Sequence, residues 1–249
     1  MKKVYYFVGF LILLFNFSCE NNANEIELID DNIDIDLPID SPIDTTKNKK
    51  NFKILSLGDS YTIGESVCET CRFPEQLKDS LLLKFERDTT ISVKVIARTG
   101  WTTGSLIGAI RAENLSTDYD LVTLLIGVNN QFTSINFSVY ETEFPALVSS
   151  AIKAVNDNKN KLIVVSIPDY AFTPLVGGNT AISNDIDKYN EFAKKYCDEN
   201  EITFVNITEI TRQGLVDKSL VASDDLHPSE IAYSKFVSKM LPFAFEKIK

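Results

Sequence analysis

Residues 52–64 read FKILSLGDSYTIG, a short apolar run broken by one glycine and two polar residues. Phe52, Ile54, Leu55 and Leu57 supply the run, and Gly58-Asp59-Ser60 ends it ahead of a helical pattern. A run of this length reads as a buried strand. Ser60 then sits at the carboxyl edge of an α/β sheet, where such folds hold their chemistry. Taken alone, the segment leaves a second reading open, because Asp and Ser are also favoured caps of a following helix. The choice turns on whether the chain supplies a base for Ser60 and donors for an oxyanion.

Outward from this segment, strands and helices alternate. Strands are expected at 52–57, 91–96, 121–126, 162–167 and 203–206, and helices at 74–85, 106–114, 140–156, 185–198 and 229–248. Pro74 suits a first helical turn, and Ser229 after Pro228 suits a helix start. The strands are Val/Ile/Leu runs rather than clean alternations, as expected when both faces are covered. Right-handed crossovers then give a three-layer α/β/α domain with five parallel strands. No G-x-G-x-x-G and no P-loop is present, which argues against a nucleotide role.

The amino terminus has a different character. Lys2 and Lys3 precede an apolar segment, 4–17, too short to span a bilayer comfortably, and Ser18-Cys19 closes it. Residues 1–18 resemble a bacterial lipoprotein signal peptide, which implies lipidation of Cys19 and a membrane lipoprotein facing the periplasm or cell exterior. Ordinary secretion or an uncleaved anchor are the alternatives, and both also take the domain out of the cytoplasm. Residues 19–50 hold nine acidic residues and two prolines in a repeated Ile-Asp pattern, a composition that favours an extended tether over a strand. The folded domain is expected over 51–249.

Composition narrows the partners. The chain has 249 residues, 44% hydrophobic, enough for one sizeable core. A formal charge of −10 argues against nucleic acid and anionic lipid surfaces. Of the four cysteines, Cys68 and Cys71 form a C-x-x-C in an exported chain, where a local disulfide is permitted. Cys197 falls on a helical pattern and reads as a buried small hydrophobe. With His227 the sole histidine, a metal site lacks ligands, and no cofactor is expected.

Parallel strands bring their carboxyl-side loops to one face. Those loops carry Ser60, then 97–103 with Gly100, then 127–131 with Asn129, then 168–170, and lastly 223–229 with Asp224, Asp225 and His227. A serine is a nucleophile only beside a base, and an imidazole ionises near neutrality, where a general base works best. Asp224, three residues before His227, can turn back to the ring, with Asp225 as local competitor. The Asn129 carboxamide and the Ser60 and Gly100 backbone N–H groups are candidate oxyanion donors. Each of these residues also has an ordinary reading as a cap, a turn or a solvated acid. It is their joint occurrence that points to chemistry.

Those residues resemble the motifs of the SGNH, or GDSL, hydrolase family. Gly58-Asp59-Ser60-Tyr61 matches the first motif with Tyr61 where leucine is common; Gly100 matches the second. Gly127 and Asn129 match the third, with Asn130 in place of aspartate, and Asp224 with His227 matches the last. The resemblance implies a flavodoxin-like sheet of order 2-1-3-4-5, with Ser60 as nucleophile, His227 as base, Asp224 as orienting acid, and Ser60, Gly100 and Asn129 as oxyanion hole. It further implies a serine esterase with an open site, acting through an acyl-enzyme on small-molecule or glycan esters. Trp101, Tyr170 and Phe172 are candidate pocket residues. A monomer is expected. The alternatives are an acyltransferase to a sugar hydroxyl and a silent carbohydrate-binding or surface-interaction domain.

Overall fold

The structure is a computed structural model that describes residues 49–85 and 88–249. Residues 1–18, read as a signal peptide, Cys19, and all but the last two residues of the stretch 19–50 read as a tether lie outside the described residues.

The chain begins with β1 (Lys50–Gly58), which feeds the short helix α1 (Ser60–Ile63) and then α2 (Phe73–Leu82). Next come β2 (Thr89–Ala97), α3 (Thr103–Glu113) and β3 (Leu121–Leu125). The short α4 (Val128–Phe132) and the long α5 (Phe137–Ala154) lead to β4 (Leu162–Val165) and α6 (Thr180–Glu199). β5 (Thr203–Val205), the short α7 (Thr208–Thr211) and α8 (Glu230–Ile248) complete it. The five strands form one parallel sheet of order β2-β1-β3-β4-β5. Every expected strand and long helix is present with ends moved by a few residues. The three short helices are too brief to leave a periodic signal.

The core follows from the strand composition. All five residues of β3 and all four of β4 are buried, so these strands are covered on both faces. Helices α2 and α8 pack together as one layer, and α3, α5 and α6 form the other. On the α5/α6 side Tyr140, Phe144, Tyr189 and Phe192 make a ring cluster with centroids 4.7–6.2 Å apart. The order places β1 beside β3 while the chain visits β2 between them. The crossover reverses there, and the loops after β1, β2 and β3 open onto one crevice.

Candidate active site

The β1–α1 junction positions Ser60. Asp59 caps α1 by accepting the Tyr61 N–H at 3.0 Å, and Gly64, in the left-handed region, closes the helix onto the Ser60 carbonyl. Ser60 thereby heads a single helical turn at the sheet edge and is almost fully buried. Asp59 itself is wholly buried, and its Oδ2 has no partner. Loss of water pushes its carboxyl up from 3.8 to about 7, against the lowering effect of its backbone hydrogen bonds.

After β2 the chain turns at Gly100, where φ is +81°. A side chain there would meet nothing within 4 Å, so glycine is required by the backbone conformation rather than by space. After β3, Gly127 is required by space: φ is +129°, and an added Cβ would stand 2.5 Å from the Tyr140 ring. Asn129 follows on α4 and donates from Nδ2 to the Trp101 carbonyl at 3.0 Å, which ties the β2 and β3 loops together. The Asn130 side chain is fully buried. It accepts from the Thr103 N–H at 2.9 Å and donates to the Thr103 hydroxyl at 2.6 Å, leaving that hydroxyl to donate to Glu143. An amide can do both, whereas an ionised aspartate at 130 could only accept.

The loop before α8 supplies the remaining groups. Asp224 Oδ1 accepts the Leu226 and His227 N–H groups at 3.0 and 2.9 Å, and Oδ2 lies 2.6 Å from His227 Nδ1. Ser66 donates to the same Oδ2, also at 2.6 Å. Burial alone would raise the Asp224 carboxyl, but the Ser66, ring and backbone hydrogen bonds outweigh it and hold the group below the usual carboxylate range. Asp225, the local competitor, is exposed and has a φ of +61°. With an ionised carboxylate on Nδ1, the ring keeps its proton there and leaves Nε2 free to accept one. The Tyr61 ring packs on the imidazole with centroids 5.2 Å apart, which gives the departure from leucine a packing role.

Ser60, Gly100, Asn129 and His227 border one cavity of about 200 Å³, with no direct hydrogen bond between Ser60 and His227. Val128, Phe132, Tyr170 and Leu226 give this cavity its apolar wall. Among the expected pocket aromatics, Tyr170 lines it, with its hydroxyl donating to Gln131 at 2.6 Å. Trp101 and Phe172 do not. Trp101 packs partly buried against the core, and Phe172 lies on the short 3-10 turn Tyr170–Phe172, outside the lining. Sequence reasoning missed Phe132, an exposed aromatic on α4, and gave no role to the buried Asp169, which caps the Tyr170 turn while paired to Arg212 at 2.9 Å.

The sequence profile of the GDSL-like lipase/acylhydrolase family matches residues 56–235. The chain belongs to that family. Solved structures of similar fold include a member of the lipolytic protein G-D-S-L family from Veillonella parvula, 18% identical, covering 77% of this chain and 97% of its own, with TM-score 0.58. A lipase/acylhydrolase from Enterococcus faecalis is 16% identical, covers 80% and 97%, and has TM-score 0.62. An acetylxylan esterase from Geobacillus stearothermophilus is 18% identical, covers 81% and 99%, and has TM-score 0.56. At these identities the likeness is one of fold. No curated protein matches the chain. The family match spans the β1 junction, the Gly100 and Asn129 loops and the Asp224–His227 loop, so all the candidate residues lie inside it.

Proposed function

We propose that this member of the GDSL-like lipase/acylhydrolase family is a serine esterase that acts through an acyl-enzyme, with short acyl or acetyl esters of small molecules or glycans as substrates. The observation that carries the reading is Asp224 Oδ2 at 2.6 Å from His227 Nδ1, with His227 and Ser60 bordering the same cavity. In this mechanism Ser60 Oγ attacks the ester carbonyl carbon while His227 Nε2 takes the hydroxyl proton. Asp224 holds the ring and stabilises the imidazolium that forms. The carbonyl oxygen becomes an oxyanion within reach of the Ser60 and Gly100 N–H groups and the second N–H of the Asn129 carboxamide, whose first is engaged by Trp101. Collapse breaks the bond to the alcohol, which leaves with the imidazolium proton. Water then repeats the sequence on the acyl-enzyme, and His227 returns its proton to Ser60. The Ser60–His227 hydrogen bond forms as substrate closes the cavity, as such bonds tighten in the Michaelis complex.

Two features favour small acyl groups. The cavity is small, and Val128, Phe132, Tyr170 and Leu226 suit a short hydrocarbon chain. We also propose that the domain is exported on a lipidated Cys19 and held off the membrane by the acidic residues 19–50, because that terminus reads as a lipoprotein signal and tether. The deciding experiment is turnover of short-chain p-nitrophenyl and acetylated-sugar esters by the parent, Ser60→Ala and His227→Ala. Each variant is expected to lose on the order of 10³-fold or more, and the double variant little beyond that. Parental activity in Ser60→Ala refutes the mechanism. A parent that turns over no ester and takes no serine-reactive fluorophosphonate at Ser60 supports a silent binding domain instead.

A further inference from the structure

The turn after α1 brings a second hydroxyl to the candidate site. The Gly64 and Glu65 N–H groups both donate to the Ser60 carbonyl at 3.0 Å, and the Val67 N–H donates to the Gly64 carbonyl at 3.2 Å. Between them Ser66 is held at φ +65°, a left-handed conformation that a non-glycine residue adopts at a cost. This turn aims the Ser66 hydroxyl at Asp224, 158 residues away in sequence, at 2.6 Å. The carboxylate oxygen it reaches is Oδ2, the one that faces His227 Nδ1. Glu65 in the same turn accepts from the Thr99 hydroxyl beside Gly100. One seven-residue segment thus carries Ser60 and touches the loops that present Gly100 and His227.

We infer that Ser66 is a positioning residue for the Asp224–His227 pair: its hydroxyl fixes the rotamer of the carboxylate and draws negative charge from the oxygen that faces the imidazole. The inference rests on the triad reading above. With both Oδ1 and Oδ2 doubly engaged, Asp224 cannot swing away from the ring when Nε2 gains or loses its proton. Charge drawn toward the Ser66 hydroxyl also weakens the hold of Asp224 on the imidazolium that forms during the reaction. The other titratable groups around the ring are Tyr61, Tyr170 and Asp169, with Asp59 bonded to the Tyr61 N–H and the exposed Asp225 on the histidine's own loop. Burial raises both phenols, so they are uncharged, and Asp169 is paired to Arg212. Asp224 is therefore the charge that the ring feels most directly.

The test compares Ser66→Ala with Ser66→Gly in the folded domain. Both delete the hydroxyl, but glycine also relieves the left-handed backbone, so a purely conformational role predicts opposite outcomes for the two. His227 is the only histidine in the chain, and its ring can be followed by NMR without assignment. Both variants are expected to move the histidine titration to higher pH, because the carboxylate oxygen facing the ring then no longer shares its charge with a hydroxyl. The shift is modest because the Asp224 side chain is 30% exposed and water can take the vacated place. The acid limb of kcat/KM should move up with it, and kcat should fall by about tenfold with KM unchanged. An unmoved histidine midpoint in both variants overturns the inference, as does full recovery of kcat in Ser66→Gly. A shifted midpoint in a protein whose Ser60→Ala variant is as active as the parent leaves the positioning role standing and removes the esterase reading.

Discussion

Asp59→Asn isolates the buried carboxyl beside Ser60. In the folded chain this group ionises at about 7, because desolvation outweighs its backbone hydrogen bonds; exposed in the unfolded chain it ionises near 3.8. The folded state therefore binds more protons between those two values, and stability falls as pH rises through that window. The contribution is full below about 3.8, is lost progressively from there to about 7, and is constant above. A shift of about 3 units at about 1.4 kcal/mol each amounts to about 4 kcal/mol, of which about 3 kcal/mol falls between pH 5 and pH 8. Asparagine keeps an oxygen for the Tyr61 N–H and cannot ionise. Any constant cost of its buried amide drops out when the stability gap between variant and parent is followed against pH. Urea unfolding of both proteins measures that gap. With a slope of about 2.5 kcal/mol per M, the variant midpoint should gain about 1 M on the parent between pH 5 and pH 8. Carboxylates elsewhere titrate alike in both proteins and cancel. A gap that stays constant across this range refutes the reasoning, since it means that Asp59 carries its charge in the folded state without penalty.

Two further outcomes are expected. Asp224→Asn should lower kcat on the order of 10³–10⁴-fold by leaving the ring in the wrong tautomer, whereas the exposed Asp225→Asn should stay within about twofold; the reverse order, measured with one p-nitrophenyl ester, would reassign the orienting acid. Cys68 and Cys71 are joined in a disulfide, and replacing both with serine should leave kcat/KM within about twofold, because the Ser66 turn is anchored from the Ser60 side; loss of activity in that variant, or on adding a chelator to the parent, would show that the clasp or a metal supports the site.

The sequence by itself determined the sheet and the chemistry-bearing loops. Runs such as Leu121–Leu125, apolar but for Thr123, and Leu162–Val165 read as strands covered on both faces, because they are too short for a helix and rich in β-branched residues. Parallel connections then send Ser60, Gly100, Asn129 and His227 to one edge whatever the loops do in detail. The departure at Asn130 was visible as well, but its use was not: that it gives and takes a hydrogen bond with Thr103 depends on where α3 begins against α4. The motif resemblance already singled out Asp224 over Asp225, and the tertiary structure adds a physical difference between them: Asp224 Oδ2 lies 2.6 Å from the ring nitrogen, whereas Asp225 is exposed at a φ of +61°. Only the tertiary structure decided the pocket wall. Trp101, Tyr170 and Phe172 are alike as loop aromatics, yet Tyr170 alone reaches the cavity, joined by Phe132 from a helix too short to announce itself. Ser66 and Asp59 were the least legible of all. Ser66 belongs to no motif, and the motif that contains Asp59 does not say that its carboxyl is cut off from water, because both features are set by contacts between segments far apart in the chain, and those contacts exist only once it has folded.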